Sequence, residues 1–259
     1  IHTPHLGAST VEAQAQVAED LARQIVDYFT SGVVRSAVNL PAVAPEKMAE
    51  LQPAFRLAET LGALAGQLLE GAAREIRLTY HGTFVDWPAA PLTRACLKGF
   101  LEPAVGGAVN YVNAPVLLSE RSVIVRETKT SAGGDYAGLL TLEVLVDVGA
   151  ALPSRPAVSV AGTLFGHEPR LVRLDEFQVD VVPEGYLLIC HNRDVPGVIG
   201  RVGTVLGEHG INIARMEVGR RAVGAEAVMV LSLDNPPSAE ATRALTPFPD
   251  ITRVKQVKV

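Results

Sequence analysis

Apolar positions along the chain switch between two periods, and the switches mark its elements. Val17, Leu21, Ile25 and Tyr28 recur at steps of three and four, behind a capping pair at Ser9 and Glu12 and ahead of Ser31-Gly32. This predicts one helix over roughly residues 10–30. Its apolar stripe has only a short companion nearby, so it should pack on something else. Pro41 through Pro45 read as a linker. Phe55, Ala58, Leu61, Leu64 or Ala65, and Leu68 then share one side of a second helix, with Pro53 in its first turn and Gly62 and Gly66 as close-packing positions. Ile76, Leu78 and Tyr80 alternate as a strand does, and helices follow near residues 91–102 and 114–120.

Strand-like runs occupy 122–128, 138–148 and 156–165, split by Gly133-Gly134 and by Pro153 to Pro156, and a strand pair falls within 168–182. Pro183-Glu184-Gly185 closes this α+β region. The remainder reads strand, helix, strand, strand, helix, strand: 186–191, a helix carrying Val198, Ile199, Val202, Val205 and Leu206, then 212–219, 225–233, a short helix near 238–245, and 251–259. Two helices on one face of a four-stranded antiparallel sheet make the ferredoxin-like βαββαβ arrangement, so the fold class is α+β. The edges of such a sheet invite pairing with a second copy.

Length and composition narrow the function. A chain of 259 residues that is 48% hydrophobic suits about two domains. A net charge of −5, with no cluster of Lys and Arg, argues against nucleic acid and against an anionic membrane surface. Cys96 and Cys190 lie far apart without metal-ligand spacing, which fits a reducing cytoplasm and suggests neither a disulfide framework nor a metal site. No apolar run approaches the roughly 20 residues of a membrane span. The chain opens at Ile1 inside what reads as a motif, so it is expected to be the C-terminal part of a longer protein.

Two histidines stand in that opening loop. A metal pair at His2 and His5 would need ligands that are not nearby, and His2 reads as a solvated side chain. His5 differs, because Pro4 fixes the backbone before it while Gly7 and Ala8 leave room for a flat ligand. A histidine so held suits proton transfer near neutral pH. Further on, Arg170 and Arg173 offer fork-shaped groups for a phosphate or carboxylate. The alternative is a solvated surface beside Asp175 and Glu176. Gly197, Gly200 and Gly203 imitate a phosphate loop only at steps of three inside a helix, where helix packing is the ordinary reading.

Four runs, in order, carry a resemblance. Thr3 to Thr10 followed by Glu12-Ala13-Gln14, the exit Ser36 to Pro41, the pair Tyr111 to Pro115 and Gly162 to Gly166, and residues 186–259 are similar to the long-form D-3-phosphoglycerate dehydrogenases, within the D-2-hydroxyacid dehydrogenases. The resemblance implies a division into 1–40, the end of the dehydrogenase domains; 41–183, an intervening domain; and 184–259, an ACT domain. It implies oxidation of 3-phospho-D-glycerate with NAD in L-serine synthesis, with His5 as acid/base and Gly7 and Ala8 beside the nicotinamide. The other dehydrogenase groups would lie upstream, so this chain alone is expected neither to bind NAD nor to turn over.

For the ACT domain the resemblance implies a pocket shared by two subunits and lined by Asn192, Asp194 and Asn212, with feedback by L-serine. A carboxylate such as Asp194 suits an ammonium, and backbone N–H groups at Val198 and Ile199 suit a carboxylate. The alternative is that Asp194 and Asn212 only cap the helix and a turn. At least a dimer through the ACT sheets, and a tetramer for the parent enzyme, are implied. A free-standing amino-acid sensor, as in serine dehydratase-type proteins, is the alternative function.

Overall fold

The computed structural model describes residues 9–31, 45–131, 134–146 and 156–259. The chain divides into two compact units, Ile1–Glu50 and Leu51–Val259. In the first, helix α1 covers Val11–Ser31. Its N-cap is Thr10 in place of the anticipated Ser9: the Thr10 hydroxyl accepts the Ala13 N–H at 3.2 Å. Val17, Leu21, Ile25 and Tyr28 are exposed on α1.

Helix α2 runs Pro45–Leu68, eight residues longer at its start than Pro53 suggested. Proline also suits position 45 as a first helical residue. Pro53 consequently lies in the helix interior, where it forgoes one backbone hydrogen bond. The second unit continues through β1 (Ala73–Gly82), a 3-10 turn (Thr83–Asp86), α3 (Ala89–Val105), α4 (Ala114–Glu120), β2 (Ile124–Thr130), β3 (Gly138–Val146), β4 (Val158–Phe165), β5 (Glu168–Leu174) and β6 (Phe177–Val181). The strands form a sheet in the order β2-β1-β3-β4-β5-β6, with β1 and β2 parallel and the other neighbours antiparallel. Leu57, Leu61 and Leu64 of α2 and Leu92, Cys96 and Leu97 of α3 are fully buried with Ile76, Leu78, Tyr80, Leu142 and Val160 of the sheet.

Glycines let the two long helices touch backbone to backbone. A Cβ at Gly62 would collide with the Cys96 carbonyl, one at Gly66 with that of Phe100, and one at Gly99 with that of Glu59. The close packing read from Gly62 and Gly66 is therefore what the helices do. Glu75, 3% exposed, ties the parallel pair together: its Oε1 accepts from Arg77 Nε at 2.7 Å and from Arg126 Nε at 2.9 Å.

Residues 186–259 form β7 (Tyr186–Arg193), α5 (Val198–Glu208), β8 (Ile213–Arg220), β9 (Glu226–Leu233), α6 (Ala239–Leu245) and β10 (Ile251–Lys258). The sheet order is β10-β7-β9-β8, antiparallel throughout, which is the ferredoxin-like topology. Leu188, Cys190, Met229 and Leu231 face α5 and α6, packing on Val198, Val202, Leu206 and Leu245. The alternate residues Leu187, Ile189, Val228, Val230 and Val257 join the core of the six-stranded sheet, where they meet Phe177, Val179 and Val181 of β6. The smaller sheet is thus buried on both faces. The near-continuous apolar runs Leu187–Cys190 and Ala227–Leu231 are the sequence signature of such double burial.

Ion pairs rim this junction. Arg221 pairs with Glu176, and Arg253 and Lys255 pair with Glu70 at 3.1 and 2.9 Å. No helix among the described residues is long and apolar enough to cross a membrane.

Candidate functional site

The loop after β7 is shaped by two backbone anchors and one glycine. Arg193 N–H donates to the Asp250 carbonyl and Asp194 N–H to that of Ala225, each at 2.8 Å. Gly197, at φ 91°, then turns the chain into α5, a left-handed conformation that favours glycine. Val198 N–H reaches only the Val195 carbonyl, at 3.5 Å, so the first turn of α5 keeps donors to offer.

Asn192 is 5% exposed. Its Nδ2 donates to the Arg193 carbonyl at 2.7 Å, and its Oδ1 is buried without a partner. Arg220 Nη1 donates to Asp194 Oδ2 at 3.1 Å. Register explains the juxtaposition: Asn192 and Arg220 both pair with Ala227, so the three form one rung across β7, β9 and β8. Ala227 shares a face with Met229 and Leu231, the face that carries α5.

Asn212 lies at the opposite end of the sheet. It follows α5, beside the Ile213–Leu233 pair, and its Nδ2 donates to Asp234 Oδ2 at 2.7 Å. The length of β8, roughly 20–25 Å, separates it from Asp194 within one chain. One copy therefore unites Asn192 with Asp194 and leaves Asn212 apart. Arg220 was absent from the sequence-based set. The only signal for it was its place at the far end of the strand opened by Asn212, which becomes informative once the register is known.

The two edges of this sheet differ. Along β10, the Gln67 side chain bonds both backbone groups of Lys258, and Arg253 Nη2 donates to the Leu68 carbonyl at 2.7 Å. Along β8, β9 is the one neighbouring strand among the described residues.

Arg170 and Arg173 line different cavities. Arg170 bonds Asp180 and Glu168, both at 3.4 Å, and borders a cleft of about 330 Å³ with Arg215, Glu217 and Ser232. Arg173 donates to Thr141 Oγ1 at 3.3 Å and borders another of about 520 Å³ with Glu143 and Asp175. Gly200 and Gly203 do not pack as anticipated: a Cβ on either would meet nothing within 4 Å. Gly200 lies exposed opposite the buried Val198 and Val202, and Gly203 is half-buried at the margin of that apolar face. His5, Gly7 and Ala8 fall outside the described residues. Among the described residues there is no group of three or more His, Cys, Asp or Glu that could hold a metal. Cys96 and Cys190 are free and buried.

Comparison with known proteins gives this architecture its relatives. Residues 50–175 match the D-3-phosphoglycerate dehydrogenase intervening domain, and residues 186–248 match the ACT domain. The D-3-phosphoglycerate dehydrogenase of Synechocystis sp. is 43% identical over 91% of this chain and 42% of its own length. Those of Bacillus subtilis and Archaeoglobus fulgidus are 36% and 37% identical over 99% and 100% of the chain, each over 48% of the relative. The chain spans less than half the length of these relatives. The chain thus carries a D-3-phosphoglycerate dehydrogenase intervening domain and an ACT domain, and it matches the C-terminal portion of those dehydrogenases.

Proposed function

We propose that the chain is the regulatory portion of an NAD-dependent enzyme that oxidises 3-phospho-D-glycerate to 3-phosphohydroxypyruvate in L-serine synthesis, and that its ACT domain binds L-serine between two copies. Residues 1–40 end the dehydrogenase domains, 41–183 form the intervening domain and 184–259 the ACT domain. A reducing cytoplasm is the compartment such an enzyme suits.

One observation carries the effector reading: Asp194 and Asn212 lie at opposite ends of a sheet whose β8 edge lacks a partner strand among the described residues. Antiparallel pairing of β8 with β8 of a second copy sets the start of one strand against the end of the other. Asn212 of one copy then comes beside Arg220 and Asp194 of its mate, and two equivalent pockets form. Covering β10 with Gln67 leaves β8 for that pairing. Calorimetry with L-serine on the wild type and on Asn212→Ala, with sedimentation to read the dimer, tests this. Equal binding by both, or no binding by either, removes it.

In the parent enzyme His5 takes the hydroxyl proton as hydride leaves C2, with Gly7 and Ala8 beside the nicotinamide. Fusing the chain to the upstream half of the Bacillus subtilis relative permits the test: His5→Asn should lower turnover by about 10²–10⁴. The chain by itself should reduce no NAD. A small-anion site in the intervening domain is a second reading, supported by Arg170 and Arg215 on one cleft. Titration of phosphate and 3-phosphoglycerate into wild type and Arg170→Met should show saturable binding that the variant loses.

A further inference from the structure

We infer that Arg220 is the carboxylate-binding residue for the α-amino acid effector, and that its ion pair with Asp194 is the seat into which the ligand's zwitterion inserts. This rests on the effector reading of that end of the sheet.

The Asp194–Arg220 pair, at 3.1 Å, presents the two charges that an α-amino acid complements: a carboxylate for its ammonium and a guanidinium for its carboxylate. Both side chains reach solvent, Arg220 being 55% and Asp194 25% exposed. Exposed pairs of this kind are weak and open readily. Ala227 separates Asn192 from Arg220 on their shared rung. Ala227 is itself 1% exposed, so this rung floors the seat and the solvent-reaching charges of Asp194 and Arg220 form it.

On the ammonium side, Asp194 is joined by the buried, unpartnered Oδ1 of Asn192. An ammonium brings three donors, and a buried acceptor without a partner gains most from receiving one. On the carboxylate side, the planar fork of Arg220 can bond both oxygens, which the N–H groups at the start of α5 cannot do from one point. Neighbouring cations are engaged elsewhere. Arg201 holds Asp250 at 2.7 Å and lies over the Phe248 ring at 5.8 Å, and Arg221 holds Glu176. Arg193, next after Asn192 in the strand, projects to the other face of the sheet.

The test titrates L-serine and L-serinamide, which keeps the ammonium but replaces the carboxylate by a neutral amide, into the 259-residue chain. Wild type is compared with Arg220→Met and with Arg220→Lys. Removing the fork should weaken L-serine by about 10- to 100-fold, the size of a lost charge-assisted bond, with Lys intermediate. L-serinamide should bind wild type and Arg220→Met equally. An Arg220→Met chain that binds L-serine as well as wild type overturns the role, and tighter binding would mean that Arg220 only obstructs Asp194. An equal loss for both probes also overturns it. Failure of the wild type to bind L-serine at all would instead overturn the effector reading beneath it.

Discussion

The side-chain amide of Gln67 bonds both backbone groups of Lys258: Nε2 donates to the carbonyl at 2.8 Å, and Oε1 accepts the N–H at 2.9 Å. One side chain from α2 thus does for β10 what a neighbouring strand would do. Gln67→Ala removes both bonds, each worth about 0.5–1.5 kcal/mol, so urea denaturation should show a loss of about 1–3 kcal/mol. The bared edge should also add self-association that sedimentation detects and that the wild type lacks.

Gly62 and Gly203 predict opposite outcomes for the same substitution. Gly62→Ala drives a methyl into the Cys96 carbonyl, a backbone atom that cannot move without separating α2 from α3. Overpacking of this kind costs about 1–3 kcal/mol. Gly203→Ala, at a half-buried position where the added methyl meets nothing within 4 Å, should stabilise by about 0.5–1 kcal/mol. Thermal melts of the two variants should move in opposite directions.

His191 predicts a pH dependence near neutrality. It packs edge-on against Phe177 at 6.1 Å in the junction of the two sheets, and burial there pushes its pKa below the usual 6.5. Asp175 and Glu226 oppose that shift, while Arg253 adds to it. The unfolded chain therefore takes up the His191 proton first as pH falls. Stability from this group is complete above about pH 6.5 and is lost as pH falls from there through the folded-state value. Denaturant midpoints at pH 7.5 and 5.5 should differ, and the difference should shrink in His191→Gln.

Glu75 predicts a second loss at lower pH. The Arg77 guanidinium bonded to it, with Arg126, holds its carboxyl below the usual 4.5 against the opposing effect of burial. Its contribution is complete above about pH 4.5 and disappears as pH falls through the lowered folded value. Glu75→Gln should remove that acid-limb loss. At neutral pH the variant should be about 1–2 kcal/mol less stable, a small figure because both arginines reach solvent. Amide exchange should quicken in β2 before it does in β9.

Much of the fold is legible where one period persists. The alternation at Ile76, Leu78 and Tyr80 and the helical steps from Val198 to Leu206 place their elements within a residue or two. Pro53 misleads because a proline is a start signal only where nothing helical precedes it, and residues 45–52 are themselves good helix formers. The loop after β7 is legible as far as the closeness of Asn192 and Asp194, since both belong to one strand-to-helix turn. Arg220 was not, because it reaches Asp194 across 26 residues of chain and two strand pairings. Local pattern does not encode such register. The glycines of α5 failed for a related reason: periodicity identifies a face, but only packing shows whether anything lies against it.

A Cβ at Gly219 would stand 2.5 Å from the Gln178 carbonyl and 3.1 Å from side-chain atoms of Phe177 and Val179. The ACT sheet is therefore seated on β6 at a point where one strand offers bare backbone. A module borrowed from another protein, with any side chain at that position, would be held away from the intervening domain however well it bound its own amino acid. Exchanging ACT domains between regulatory proteins should accordingly succeed here only with donors that carry glycine at the equivalent of residue 219.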